Sequence, residues 1–188
     1  MFSPYKFMSL WYNFTMKIRL KDITICALFA ALVLVSSKIE FRAFDTRFQL
    51  GNTFCILAGL FLQAPYAGLA GGVGSALYDL IFYGNGAGFI FTFINKFFLS
   101  FVCSLVFRTL SGKTFIRVIA AGVLGQITYI FLYLLKTFVT NFFIAGMPLD
   151  AALPILVAKG GVSAINAIVA VVLATVLYHI LVKAGVDV

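Results

Sequence analysis

The chain has 188 residues, of which 63% are hydrophobic and 11% charged, with a formal net charge of +8. A water-soluble domain carries about 25% charged residues, so composition and a mean hydropathy of +1.09 exclude a soluble globular enzyme and point to one helical membrane domain, residues 1–188. The excess positive charge is no nucleic-acid footprint, because the basic residues collect at the ends of apolar segments rather than along one face.

Residues 1–20 read as an N-terminal arm and 21–183 as a six-helix bundle. The first 15 residues hold Lys6 among aromatics without the pattern of a cleavable signal peptide, so they read as an interfacial arm or an over-called start with Met16 as the alternative first residue. The first apolar segment is Ile23–Ser37, and Ala27 and Ala31 form a small-xxx-small patch on one of its faces. Intramolecular packing and docking of a second membrane subunit are the two uses of such a patch. The segment Lys38–Phe48 is charged and aromatic, and it reads either as a solvated connector or as a lid over a site. Next comes a charge-free run, Phe48–Tyr78, too long for one span and too short for two. Pro65 disrupts a helix interior but suits a first turn, so the run divides into helices at about 50–63 and 65–82. The former is short of the roughly 20 residues that cross a bilayer core, which makes it a tilted or re-entrant element.

The remaining helices are expected at about 88–107, 118–140 and 149–182. Beta periodicity is absent, and backbone groups in lipid must be satisfied within a helix or closed barrel, so the fold class is an all-α, polytopic six-transmembrane-helix bundle. The cytoplasmic ends would carry Lys6, Lys17, Arg19, Lys21, Arg108, Lys113, Arg117 and Lys183, against Lys38, Arg42, Arg47 and Lys136 outside. That asymmetry places both termini in the cytoplasm.

Asp79, Lys96, Lys136 and Lys159 interrupt the apolar segments. An ionised group at mid-membrane costs about 2.5–3.5 kcal/mol on insertion scales, so these residues belong to a cavity by default. Tyr129 and Tyr133 are four apart and share a helix face that Lys136 joins three residues on. Asn95 and Lys96 reach a similar outer depth on the fourth helix, Lys159 and Asn166 on the sixth, and Tyr78 and Asp79 on the third. Aromatic walls with a few polar groups are the pattern of a small-molecule pocket. The expected substrate-binding set is Lys96, Asn95, Tyr129, Tyr133, Lys136, Lys159, Asn166, Asp79 and Tyr78. Alternatives stand beside it: Lys136 as a snorkelling side chain, Asp79 as a counter-ion, Asn95 and Asn166 as interhelical bonds. Cys26, Cys55 and Cys103 read as inert buried thiols, and His179 as an interfacial side chain. No nucleotide-binding, metal-binding or nucleophile–base motif is present, so neither catalysis nor a cofactor is expected.

Three stretches carry a family resemblance. Arg47-Phe-Gln-Leu-Gly-Asn-Thr-Phe54, with Ala58-Gly-Leu-Phe-Leu62 behind it, is the first. Tyr66-Ala-Gly-Leu-Ala-Gly-Gly-Val-Gly-Ser-Ala-Leu-Tyr-Asp-Leu80 is the second, and Phe91-Thr-Phe-Ile-Asn-Lys-Phe97 the third. Together they resemble the substrate-binding S components of energy-coupling factor (ECF) vitamin transporters over about residues 20–110, with the rest similar in topology only. Where that family has Gly-Pro after its second helix, this chain has Gln63-Ala64-Pro65. The resemblance implies a non-catalytic subunit of a bacterial plasma membrane importer. Such a subunit captures a water-soluble vitamin from outside and docks through the Ala27/Ala31 face on a transmembrane coupling subunit that carries two cytoplasmic ATPases. The Leu-Gly-Asn-Thr-Phe variant is closest to members assigned to hydroxymethylpyrimidine, pyridoxine-like compounds or riboflavin. Arg42, Phe44, Arg47 and Phe48 would then close over the ligand. An autonomous passive channel or membrane enzyme is the alternative.

Overall fold

The computed structural model describes residues 20–43, 46–84 and 88–186. Helix α1 (Leu20–Ser37) turns Phe29, Val33, Ser36 and Ser37 inward at helical spacing, while Leu28, Leu32 and Val35 stay exposed. Burial of one stripe on a helix that is apolar all round leaves the other faces for lipid.

Strands β1 (Glu40–Ala43) and β2 (Thr46–Gln49) follow as an antiparallel hairpin, with Glu40 opposite Gln49 and Arg42 opposite Arg47. The expectation of a loop without beta structure at Lys38–Phe48 is corrected here. Four residues per strand are too few to show an alternating pattern in sequence, and pairing between nearby strands satisfies their backbone groups.

Helix α2 (Gly51–Phe61) has 11 residues, about 16 Å at 1.5 Å per residue, so it is too short to cross a bilayer. Ten of the 11 are buried, Phe54 excepted, and α2 touches α1, α3, α4, α5 and α6. The short charge-free segment, read from sequence as tilted or re-entrant, packs as a core helix surrounded by its neighbours. Gln63 is extended between α2 and α3 (Ala64–Tyr83), and Pro65 occupies the first turn of α3. Gly84, at φ 58°, ends α3 in the left-handed conformation that glycine adopts without strain.

Helix α4 (Gly88–Thr109) packs most extensively on α3. The glycines of α3 make that approach possible: a β-carbon at Gly71 would lie 3.0 Å from the Lys96 carbonyl, and one at Gly72 2.9 Å from the Phe93 ring. Helix α5 (Thr114–Phe138) runs on through a π-helical turn, Val139–Ile144, and α6 spans Leu149–Lys183. Among the described residues, four stretches are long and apolar enough to cross a membrane: α1, α4, α5 with its π turn (Thr114–Ile144), and α6. The core lies around α2, where Ile56, Leu57, Ala58 and Leu60 meet Val33, Ala67, Leu99, Val118 and Ala170.

Candidate substrate-binding cavity

A cavity of about 280 Å³ opens between α4, α5, α6 and the end of the hairpin. Helix α5 supplies one wall. Tyr129, Tyr133, Lys136 and Thr137 recur at three- and four-residue intervals, so they form one stripe, which Thr140 and Asn141 extend into the π turn. Such turns often occur at functional sites. The Tyr129 and Tyr133 rings stack 6.1 Å apart with 7° between their planes, a flat aromatic surface along the cavity. Thr137 is held by donating to the Tyr133 carbonyl at 2.9 Å.

The opposite wall is α4, through Thr92, Asn95 and Lys96. Lys96 is only 1% exposed, and its ammonium sits 5.0 Å from the centre of the Tyr129 ring. The ammonium also donates to Asn52 Oδ1 on α2. Asn52 in turn donates to Gln126 Oε1 at 3.4 Å. Both amides are buried, and Gln126 lies three residues before Tyr129 on the same stripe of α5. A cation at 1% exposure requires hydrogen-bonding partners, and the Lys96–Asn52–Gln126 chain supplies them from three different helices.

Lys136 lies seven residues past Tyr129, about 10 Å along α5, with its ammonium 4.9 Å from the Phe91 ring centre. Lys159, half-buried on α6, lines the same cavity. Its neighbour Gly160 faces Leu134, where an added β-carbon would lie 3.6 Å from a leucine methyl, so this part of α6 stands beside the Tyr133–Lys136 stretch of α5. Like charges around one space of low dielectric constant repel each other. Three lysines around one cavity therefore favour an oxygen-rich ligand over a cationic one.

Six residues expected for the site line this cavity: Lys96, Asn95, Tyr129, Tyr133, Lys136 and Lys159. Three others stand apart from its lining. Asp79 accepts a hydrogen bond from Thr92, which puts it one residue behind the wall. Tyr78 packs against Phe82 and Tyr83, and Tyr83 donates to Glu40 of the hairpin. Asn166 is buried farther along α6. Of the expected lid residues, Phe48 is half-buried and outside the lining, whereas its neighbour Gln49 is buried and lines the cavity. Phe44 and the side chains of Arg42 and Arg47 lie outside the described residues.

Gln49, Thr92, Thr137, Thr140 and Asn141 line the cavity without having been singled out from sequence, and Asn52 and Gln126 stand behind it. Helical spacing from Tyr133 reaches Thr137, Thr140 and Asn141, and Thr92 is one turn before Lys96, so those four were within reach of the pattern. Gln49 and Asn52 fall within the Arg47–Phe54 stretch that carries the family resemblance, but helical spacing does not reach them, because their placement depends on how the hairpin and α2 pack.

On α1, Ala27 and Ala31 both face outward. Among the described residues, nothing packs closely over either of them. The inward positions of this helix belong to Phe29, Val33 and the Ala30 carbonyl, which lies against Gly74.

An apolar helical bundle enclosing one aromatic, lysine-lined cavity defines a membrane-embedded protein that binds a small molecule. Residues 17–183 match the family described as ECF-type riboflavin transporter, S component, and the chain belongs to that family. The match runs well past the 20–110 region of the resemblance, through α5 and α6. The chain is therefore a substrate-binding subunit of a vitamin transporter, not an enzyme. No curated protein matches the sequence.

Proposed function

We propose that this subunit captures a ring-containing vitamin or vitamin precursor from outside the cell for an ATP-driven ECF importer. A hydroxymethylpyrimidine- or pyridoxine-like compound fits best and riboflavin next. The observation that carries the reading is the stacked Tyr129–Tyr133 surface facing Lys96 and Asn95 across one cavity. An aromatic ring packs on the tyrosines while carbonyl or hydroxyl oxygens accept from the lysine, which acts as a point donor. The ligand-binding residues are Lys96, Asn95, Tyr129, Tyr133, Lys136 and Lys159, with Asp79 supporting through Thr92 and with Gln49 and the hairpin at the edge of the cavity.

In this reading all six helices form one membrane domain with both termini in the cytoplasm, as the distribution of Lys and Arg supports. The exposed Ala27/Ala31 face of α1 allows close approach of a transmembrane coupling subunit, and two cytoplasmic ATPases supply the energy. The test has two parts. Mass spectrometry of the denatured purified protein identifies a carried ligand, and titration against pyridoxine, hydroxymethylpyrimidine, riboflavin, pantothenate and cobalamin ranks affinities. Tight binding of thiamine with none of the others contradicts the charge reasoning. Net uptake into liposomes by the chain alone, without ATP or partners, removes the importer reading in favour of a passive channel.

A further inference from the structure

The end of the bundle away from the cavity carries a basic cluster of its own. Arg108 lies in the last turn of α4, Lys113 immediately precedes α5, and Arg117 is the fourth residue of α5. Arg117 comes 12 residues before Tyr129, about 18 Å by helix rise, and none of the three lines the cavity.

The protein holds both arginines in place. Arg117 donates through Nη2 to the Phe107 carbonyl at 2.7 Å, and its guanidinium lies 4.6 Å from the centre of the Phe107 ring. That bond brings it to the residue next to Arg108. Arg108 donates through Nε to Ser104 Oγ at 3.3 Å, and Ser104 is itself fixed by donating to the Leu62 carbonyl at 2.7 Å. Side chains anchored in advance lose less freedom when a ligand arrives. A guanidinium has five N–H donors and keeps its charge. Each arginine uses one of them on the protein, and among the described residues the others meet no protein acceptor, the buried Nε of Arg117 included. The described carboxylates lie elsewhere. Glu40 is on the hairpin, Asp79 is behind the cavity wall, Asp150 is at the opposite end of α6, and Asp22 is on α1, which packs on α2 and α3.

Apolar side chains border the same cluster. Phe115 and Ile116, directly before Arg117, are 57% and 61% exposed, and Leu110 is exposed in the connector between α4 and α5. We infer that Arg108, Lys113 and Arg117 form a binding site for an anionic phospholipid. Its phosphate accepts from the two guanidiniums, and its acyl chains run along Phe115 and Ile116. A guanidinium fork matches phosphate oxygens two at a time, and Lys113 adds a point charge. A soluble anion would satisfy the forks but leave the apolar side chains in water, whereas a lipid meets both halves of the surface. In the orientation proposed above, this end faces the inner leaflet. The site is separate from the vitamin cavity and stands whichever vitamin that cavity takes.

The test is native mass spectrometry of the purified full-length chain in a neutral detergent, with phosphatidylglycerol and phosphatidylcholine of identical acyl chains at equal concentration. The phosphatidylglycerol adduct should dominate. Each basic residue near an anionic headgroup contributes about fivefold in affinity, so Arg108→Gln/Arg117→Gln should weaken phosphatidylglycerol binding about 25-fold. Arg108→Gln alone leaves the Arg117–Phe107 bond in place; it should weaken binding about fivefold without moving the thermal midpoint in lipid-free detergent. Glycerol 3-phosphate, a headgroup phosphate without chains, should not displace the lipid at matched concentration. Displacement by it makes this a soluble-phosphate site and overturns the lipid assignment. Equal binding of the two lipids to the native chain overturns the inference outright. A phosphatidylglycerol preference that survives in both variants removes the arginines from the site; if those variants instead lose co-purification with the coupling subunit, the cluster is a protein interface and the inference falls.

Discussion

Lys96→Met removes an ammonium while nearly preserving the length and volume of the side chain. The residue is 1% exposed, faces the cavity and lies against Tyr129, so methionine can occupy the same channel without opening a void. What is lost is a charged donor to the ligand, worth about 1.5–3 kcal/mol, which corresponds to roughly 10–150-fold in affinity. Asn52 does not line the cavity, yet it accepts from Lys96 and is itself tied to Gln126. Its direct bond to a lining residue is the one from Lys96, so its effect on binding is expected to pass through Lys96. Asn52→Leu should weaken binding by about tenfold in the native background and have little effect in the Lys96→Met background, a coupling within the roughly 0.5–3 kcal/mol range of contacting residues. The assay is calorimetric or fluorescence titration of the four proteins of this cycle with the vitamin found by mass spectrometry. Native affinity in Lys96→Met makes Lys96 a structural residue. Losses that simply add in the double variant refute the positioning role of Asn52.

Three further outcomes follow from other parts of the molecule. Ala31→Trp puts a large side chain on the exposed face of α1, so it should abolish assembly with the coupling subunit in co-purification while leaving ligand affinity of the isolated chain within about twofold; lost folding or binding instead would make the patch a packing element. Tyr133→Ala removes one ring of the stacked pair, and with about 0.5–1.5 kcal/mol of aromatic contact beyond buried area it should weaken binding of a ring ligand by at least about threefold, with unchanged affinity counting against ring stacking there. Gly71→Val forces side-chain atoms against the Lys96 carbonyl and Ser100, and overpacking of about 1–3 kcal/mol predicts a lower thermal midpoint in detergent; an unchanged midpoint would mean that α3 and α4 can separate without cost.

Sequence and tertiary structure contributed at different ranges. Spacing alone made Tyr129, Tyr133 and Lys136 one face, because residues three and four apart on a helix are neighbours wherever the helix goes. The same logic extended would have reached Thr137, Thr140 and Asn141. It could not tell that Asp79 stops one residue short of the cavity or that Asn166 lies farther along α6. Depth along a helix follows from residue count, whereas which side of the helix meets the cavity depends on its neighbours.

Composition by itself determined that this is a helical membrane protein. Proline placement divided the charge-free run into α2 and α3, and the cost of burying charge marked the three lysines that line the cavity, since these are properties of single residues and of local periodicity. Only the tertiary structure decided that α2, too short to span, is the buried centre of the bundle, that a hairpin brings Gln49 to the cavity, and that Asn52 and Gln126 hold Lys96. Those outcomes depend on contacts between residues 44 and 74 positions apart, which arise when several apolar faces pack at once and buried polar groups must find partners among whatever that packing brings near.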